Sequence, residues 1–207
     1  MNMKIKHYLV GMLVCIPLFM SAQILHIDQS PLIWLRADIH GNIDSVWQDC
    51  RNNGYQANSD SGQLLPAKTL FNFNQAFDFD GSQSAYQLNF TPGSEEYFKI
   101  YSIYQAEDST IEMGIWHMQL DSSSDIQLST HSIKSLRFDI QYDSITNTIP
   151  IINTSIQTWK QQSVDSNLAG FTIAGTDSVN FKGKFAEFMI FRDPLSNFDN
   201  VKVHTYL

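Results

Sequence analysis

The chain has 207 residues, 43% of them hydrophobic and 13% aromatic, with 13 Lys and Arg against 21 Asp and Glu. That length suits one domain with a single core. The formal net charge of −8 works against nucleic acid as a partner, since phosphates call for a basic surface, and against adsorption to an anionic membrane.

The chain opens on basic MNMKIKH, continues through the apolar run YLVGMLVCIPLFM and reaches the small residues Ser21 and Ala22. That order is the pattern of a secretory signal peptide. The run is 13 residues long, short of the about 20 that a bilayer-spanning helix needs. Cys15 lies inside the run behind Val14, where lipid attachment wants a small residue, so lipidation is disfavoured. The expectation is a signal peptide over 1–23 and one domain over 24–207, with no membrane span once the leader is cut. Cleavage removes Lys4 and Lys6, leaving 11 basic residues against 21 acidic ones, a net charge of −10. Only Cys50 then remains, so no intramolecular disulfide can form and an apolar core must supply the stability.

Beyond the leader, short segments alternate between apolar and polar residues with the period of half-buried strands. The alternation is clearest in SLRFDIQY, where Leu136, Phe138, Ile140 and Tyr142 share a face, and in AYQLNF, which sets Tyr86, Leu88 and Phe90 inward. IEMGIWHMQL is apolar on both faces, with Ile111, Met113 and Ile115 opposite Trp116, Met118 and Leu120. With YFKIYSIYQA and KFAEFMIF it reads as a central strand, covered on its outer face or lining a concave one. Turn residues punctuate these runs at Asp80-Gly81, Pro92-Gly93, Asp121 to Ser124, Asn167 to Gly170 and Gly175 to Asp177. The polar stretch from Arg51 to Gly62 reads as a long surface loop. Ser196 followed by Asp199 signals the N-cap of a short C-terminal helix. No glycine, asparagine or proline closes that helix before Leu207, which suits a piece of a longer chain. Many short strands with so little helix predict an antiparallel β-sandwich.

Nothing in this pattern carries a recognised catalytic set, and no catalytic residue is assigned. No G-x-S-x-G elbow is present and Cys50 has no nearby histidine. His26, His40, His117, His131 and His204 lack the spacing of a zinc site. Sugar recognition asks for an aromatic face beside hydrogen-bonding groups. The best candidates are Trp116 with His117, and Trp159 with Gln157 and Gln161; packing in an all-β core is the competing role for both tryptophans.

Five phrases in fixed order carry a resemblance: LIWLRAD (32–38), SVWQDCRNNGYQA (45–57), QAFDFDGSQSAYQL (75–88), IPIINTSIQTWKQQ (149–162) and AEFMIFRDPLS (186–196). Together they resemble the LamG-like, concanavalin A-type jelly-roll domain of secreted bacterial surface proteins. The resemblance implies a jelly-roll sandwich with Trp34 and Trp47 in packing positions. It makes calcium the one plausible cofactor, with Asp78 and Asp80 as ligands, although Ser82, Gln83 and Ser84 stand where relatives carry further acids. The alternative for Asp80 is to cap its own turn. Glycoside hydrolases share this superfamily and use acids on one strand face. In AEDSTIE, however, Glu107 and Asp108 are adjacent and point to opposite faces, and Glu95 and Glu96 are adjacent in a loop. The expected function is a non-catalytic extracytoplasmic recognition module for glycans or surface proteins, within a larger cell-surface protein. The alternatives are a structural spacer and, more remotely, a polysaccharide-degrading enzyme.

Overall fold

The computed structural model describes residues 29–39, 45–59, 65–71, 74–82, 85–90, 97–108, 110–121, 124–130, 133–135, 141–148, 151–160, 170–175, 179–192 and 195–206. The expected signal peptide, His26, His40, His131, Glu95, Glu96, Gln161 and most of the SLRFDIQY segment lie outside them. The strands, in chain order, are β1 (Ile33–Arg36), β2 (Val46–Gln48), β3 (Gln56–Ser59), β4 (Lys68–Phe71), β5 (Asn74–Asp80), β6 (Tyr86–Leu88) and β7 (Tyr97–Ala106). They continue with β8 (Gly114–Asp121), β9 (Ser124–Ser129), β10 (Ile133–Ser135), β11 (Gln141–Thr148), β12 (Ile151–Lys160), β13 (Gly170–Ile173) and β14 (Lys182–Phe191). One α-helix, α1 (Asn197–Tyr206), follows.

The strands form two antiparallel sheets, the sandwich that the sequence predicts. The first runs β11-β12-β7-β14-β5-β4, with β1 also on β14; the second runs β10-β9-β8-β13-β6-β3-β2. Strand β7 pairs with β14 from Gly183 to Phe191, while β5 takes Lys182 to Phe185 and β1 takes Glu187 to Ile190. The strands β5 and β1 therefore lie end to end along the other edge of β14. A bulge between Phe185 and Glu187 sits at the hand-over.

That bulge explains a spacing that simple alternation forbids. Phe185 and Phe188 are three apart, yet both are fully buried in the core between the sheets, while Ala186, Met189 and Phe191 pack in clusters on the other side. One extra residue resets the pleat. The same device acts in β8, where the register shifts between Gly114 and Trp116. Ile115, Trp116 and Met118 thus all enter the one core, so the two-sided apolar run of β8 marks a bulge and not two covered faces. Ile111, expected on the Met113 face, is exposed.

The core is aromatic and joins both sheets. Trp47 of β2 meets Phe77 and Phe185 of the first sheet edge-on, at centroid distances of 5.2 and 5.6 Å, the geometry that ring quadrupoles favour. Outside the first sheet, α1 covers β7 and β14 through Val203, which clusters with Trp34, Tyr101, Met189, Phe191 and Leu195. Its N-cap is the one read from sequence: the Asp199 amide donates to Ser196 Oγ at 3.0 Å, and the Ser196 hydroxyl donates to Asp199 Oδ2 at 2.8 Å. Tyr101 Oη donates to Asn200 Oδ1 at 2.8 Å and fixes the helix to β7.

Candidate functional site

Strand alternation separates the expected sugar-binding residues. Trp116 is 0% exposed and stacks on Phe171 at 5.6 Å, so it offers no face to a ligand; the pleat of β8 that buries it turns His117 the other way. His117 stands in a transverse row of paired positions across five strands, Asn58, Gln87, Thr172, His117 and Gln127. Within that row His117 and Thr172 are themselves buried. Gln157 and Trp159 belong to β12 in the opposite sheet, at register positions facing Ile100 and Phe98; their side chains lie outside the described residues. The backbones of the two pairs therefore lie in different sheets.

Asp78 and Asp80 both point outward from β5, because Phe77 and Phe79 between them fill the core. Asp80 Oδ1 accepts from the Ser82 amide at 2.7 Å and from its hydroxyl at 2.6 Å. These bonds hold the Asp80 carboxyl below the usual carboxylate value, and Gly81 takes the left-handed conformation that the turn requires. Asp80 thus caps its own turn. Among the described residues no group of three or more His, Cys, Asp or Glu could hold a metal ion.

Asp78 has a different setting. It lines an open cleft of about 400 Å³ with Gln105, Ala106, Glu107, Gly183 and Lys184. Backbone register builds this cleft: Gln105 pairs with Lys184 and Lys184 with Asp78, so three neighbouring strands carry amide, ammonium and carboxylate in one row. The next row holds Lys182 opposite Asp80, with Lys182 ion-paired to Glu107 at 3.0 Å. Neither Asp78 nor Gln105 makes a side-chain hydrogen bond or ion pair with another described residue, and Lys184 Nζ reaches only the Leu70 carbonyl, at 3.4 Å. The row is therefore furnished with hydrogen-bonding groups that the fold itself leaves unused.

Gly183 makes the floor possible. Its φ is +138°, and a Cβ there would fall 2.1 Å from the Gln105 carbonyl oxygen and 2.9 Å from the Glu107 nitrogen. Any side chain would push β14 away from the end of β7. Sequence reasoning missed Gln105, Gly183 and Lys184; the signal was the KGK of KGKFAEF, where two lysines on one face flank a glycine inside a strand.

The remaining acids of AEDSTIE each have a local task. Asp108 Oδ1 accepts from Thr110 in a turn at 2.7 and 2.6 Å, and Glu112 accepts from Ser129 Oγ at 2.8 Å. Asp49 and Glu187 are buried and tie β1 in place. Asp49 Oδ1 accepts from the Trp34 amide at 2.8 Å and Glu187 Oε2 from the Trp34 indole at 2.9 Å. Burial, reinforced by Asp49, pushes the Cys50 thiol up to about 11, which keeps it protonated and unreactive at neutral pH.

No protein-family model matches the chain, and no curated protein matches its sequence. The solved structures that match include the following two. One is domain 4 of AbnA, a GH43 extracellular arabinanase from Geobacillus stearothermophilus, in complex with arabinotriose: 14% identity, TM-score 0.56, covering 86% of this chain and 99% of that domain. The other is Trypanosoma rangeli sialidase in complex with the inhibitor DANA, at 10% identity and TM-score 0.46, where the match spans 32% of that protein. At such identity the first likeness is one of architecture: the chain folds as a β-sandwich.

Proposed function

We propose that this chain is a non-catalytic recognition module of LamG-like type that works outside the cytoplasm and binds a glycan in the cleft over β5, β14 and β7. The observation that carries this reading is the row Asp78, Lys184, Gln105, adjacent in register and open to solvent. A carboxylate, an ammonium and an amide side by side supply both acceptors and donors, as sugar hydroxyls require. The leader read in residues 1–23 supports an extracytoplasmic destination, and the fold likeness to a domain solved with arabinotriose supports a saccharide as ligand. An array of neutral and charged glycans, probed with the mature protein, tests the reading. Binding that falls on Gln105→Ala and Lys184→Ala supports it; binding unaffected by both, or none at all, overturns it.

One observation favours a hydrolase as the second reading: Asp78 and Glu107 line the same cleft. Against it, two strand spacings and two residues of rise put their backbones about 12 Å apart, so both side chains would have to lean together to reach glycosidase spacing, and Glu107 is already ion-paired to Lys182. A glycosidase needs its carboxyl groups about 5–10 Å apart, with one of them held protonated.

A further inference from the structure

A second, smaller pocket lies on the other sheet, at the turn joining β2 to β3. It has a volume of about 220 Å³ and is lined by Gln48, Asp49, Asn52, Gly54, Tyr55 and Gln56. That is below the range of drug-sized ligand sites and leaves room for about seven waters, the scale of one small unit of a larger ligand.

Its chemistry is amphipathic, with amides and one aromatic ring around a single carboxylate. Tyr55 is half-buried, its ring edge-on to Phe90 at 5.8 Å, and its hydroxyl bonds to no other described residue. Gln48 and Gln56 are cross-strand partners and so share a face. Asn52 is exposed, and its side-chain amide likewise bonds to no described residue. Asp49 brings the one charge, but its oxygens are taken inside the fold, Oδ1 by the Trp34 amide and Oδ2 by the Asn53 amide at 3.1 Å.

The loop that carries these groups is held on every side. The Asp49 amide donates to the Tyr55 carbonyl at 3.0 Å and the Asn52 amide to the Asp49 carbonyl at 3.2 Å. Arg51 Nη1 donates to the Pro31 carbonyl at 3.1 Å and Asn53 Nδ2 to the Leu32 carbonyl at 3.2 Å. Asn89 bridges the far side, donating to the Gly54 carbonyl at 3.0 Å and accepting from the Gln56 amide at 2.6 Å. A polar loop whose backbone is fixed in this way lowers the ordering cost of binding.

We infer that this pocket is a second binding site, for a single neutral sugar unit, independent of the cleft on the first sheet. The Tyr55 ring meets the C–H face of the sugar while its hydroxyl, the Asn52 side-chain amide and the Gln56 side-chain carbonyl, whose NH2 donates to Asn58 Oδ1 at 3.3 Å, bond the sugar's hydroxyls. An acidic sugar would meet Asp49 with no cation beside it in the lining, and an amino sugar would find that carboxylate already occupied.

Amide-resolved NMR titration of the mature protein tests this, using methyl glycosides of glucose, galactose and arabinose, with glucuronic acid, glucosamine and a neutral tripeptide as controls. The clean variant is Asn52→Gly: φ at Asn52 is +57°, which glycine adopts freely, so only the side-chain amide is lost. Tyr55→Phe removes the hydroxyl and keeps the ring. The expected result is saturable shifts over 48–56 with a neutral glycoside, weakened about five- to tenfold in either variant and unchanged in Gln105→Ala. Shifts over 48–56 that persist in both variants, that arise equally with the controls, or that never occur overturn the inference. Because Gln105 lies in the first sheet and Asn52 in the turn between β2 and β3 of the second, loss of one site leaves the other measurable.

Discussion

Replacing Trp116 by alanine separates a core tryptophan from a ligand-facing one. Trp116 is fully buried, stacks on Phe171 at 5.6 Å with an interplanar angle of 29°, and belongs to the cluster that joins both sheets. Truncating a buried aromatic side chain costs about 3–5 kcal/mol through lost transfer energy and the cavity left behind. For a domain of this size each kcal/mol lowers the melting temperature by about 2–4 °C, so Trp116→Ala should lose roughly 6–20 °C. The assay is thermal unfolding followed by near-UV circular dichroism, with urea unfolding as a check at constant temperature. A loss under about 2 °C, the downward limit set by a surface substitution, would refute the burial argument and return Trp116 to the list of ligand contacts.

Gly183→Ala should destabilise by more than about 3 kcal/mol, since left-handed strain adds to a steric clash with the Gln105 carbonyl; a urea midpoint near wild type would contradict the close approach of β7 and β14. Ser196→Ala should cost about 1 kcal/mol by removing the helix N-cap, read in the same unfolding curves. Cys50 should resist a thiol reagent at neutral pH and react as pH approaches about 11; half-maximal reactivity near the ordinary thiol value would count against its burial. Because that pKa is raised in the folded state, its contribution to stability is full below the unfolded value of 9.0 and is lost as pH rises through about 11. Asp80 shows the opposite sign: its lowered pKa favours the fold above the ordinary value of 3.8 and that contribution fades in acid. Ser82→Ala should move the Asp80 titration, followed by carboxyl carbon NMR, back upward.

The sandwich was legible because its strands alternate cleanly where they are regular, as over 77–80 of β5, where Phe77 and Phe79 are buried while Asp78 and Asp80 face out. Period-2 counting failed where the backbone itself breaks period. In β8 and β14 a bulge places Ile115 beside Trp116, and Phe185 with Phe188, in one core; Gly114 marks the first in the sequence, while the second, between Phe185 and Glu187, has no glycine at it. The turn at Asp80 and the cap at Ser196 were readable because each rests on bonds between residues two or three apart. The larger cleft was not, since Asp78, Lys184 and Gln105 are distant in sequence and only strand order makes them neighbours. The Tyr55 pocket was hidden differently: the polar run from Arg51 looked like solvated loop, and its rigidity comes from Pro31, Leu32 and Asn89, which local reading does not connect to it.

The central claim is that the row over β5, β14 and β7 contacts a saccharide, and isothermal titration of the best array ligand into the wild-type protein and into Gln105→Ala tests it most directly. The Gln105 side chain makes no hydrogen bond or ion pair with a described residue, so its truncation leaves the fold unchanged, and the account predicts an affinity about five- to tenfold weaker at an unaltered melting temperature. Equal affinity in the two proteins would contradict it.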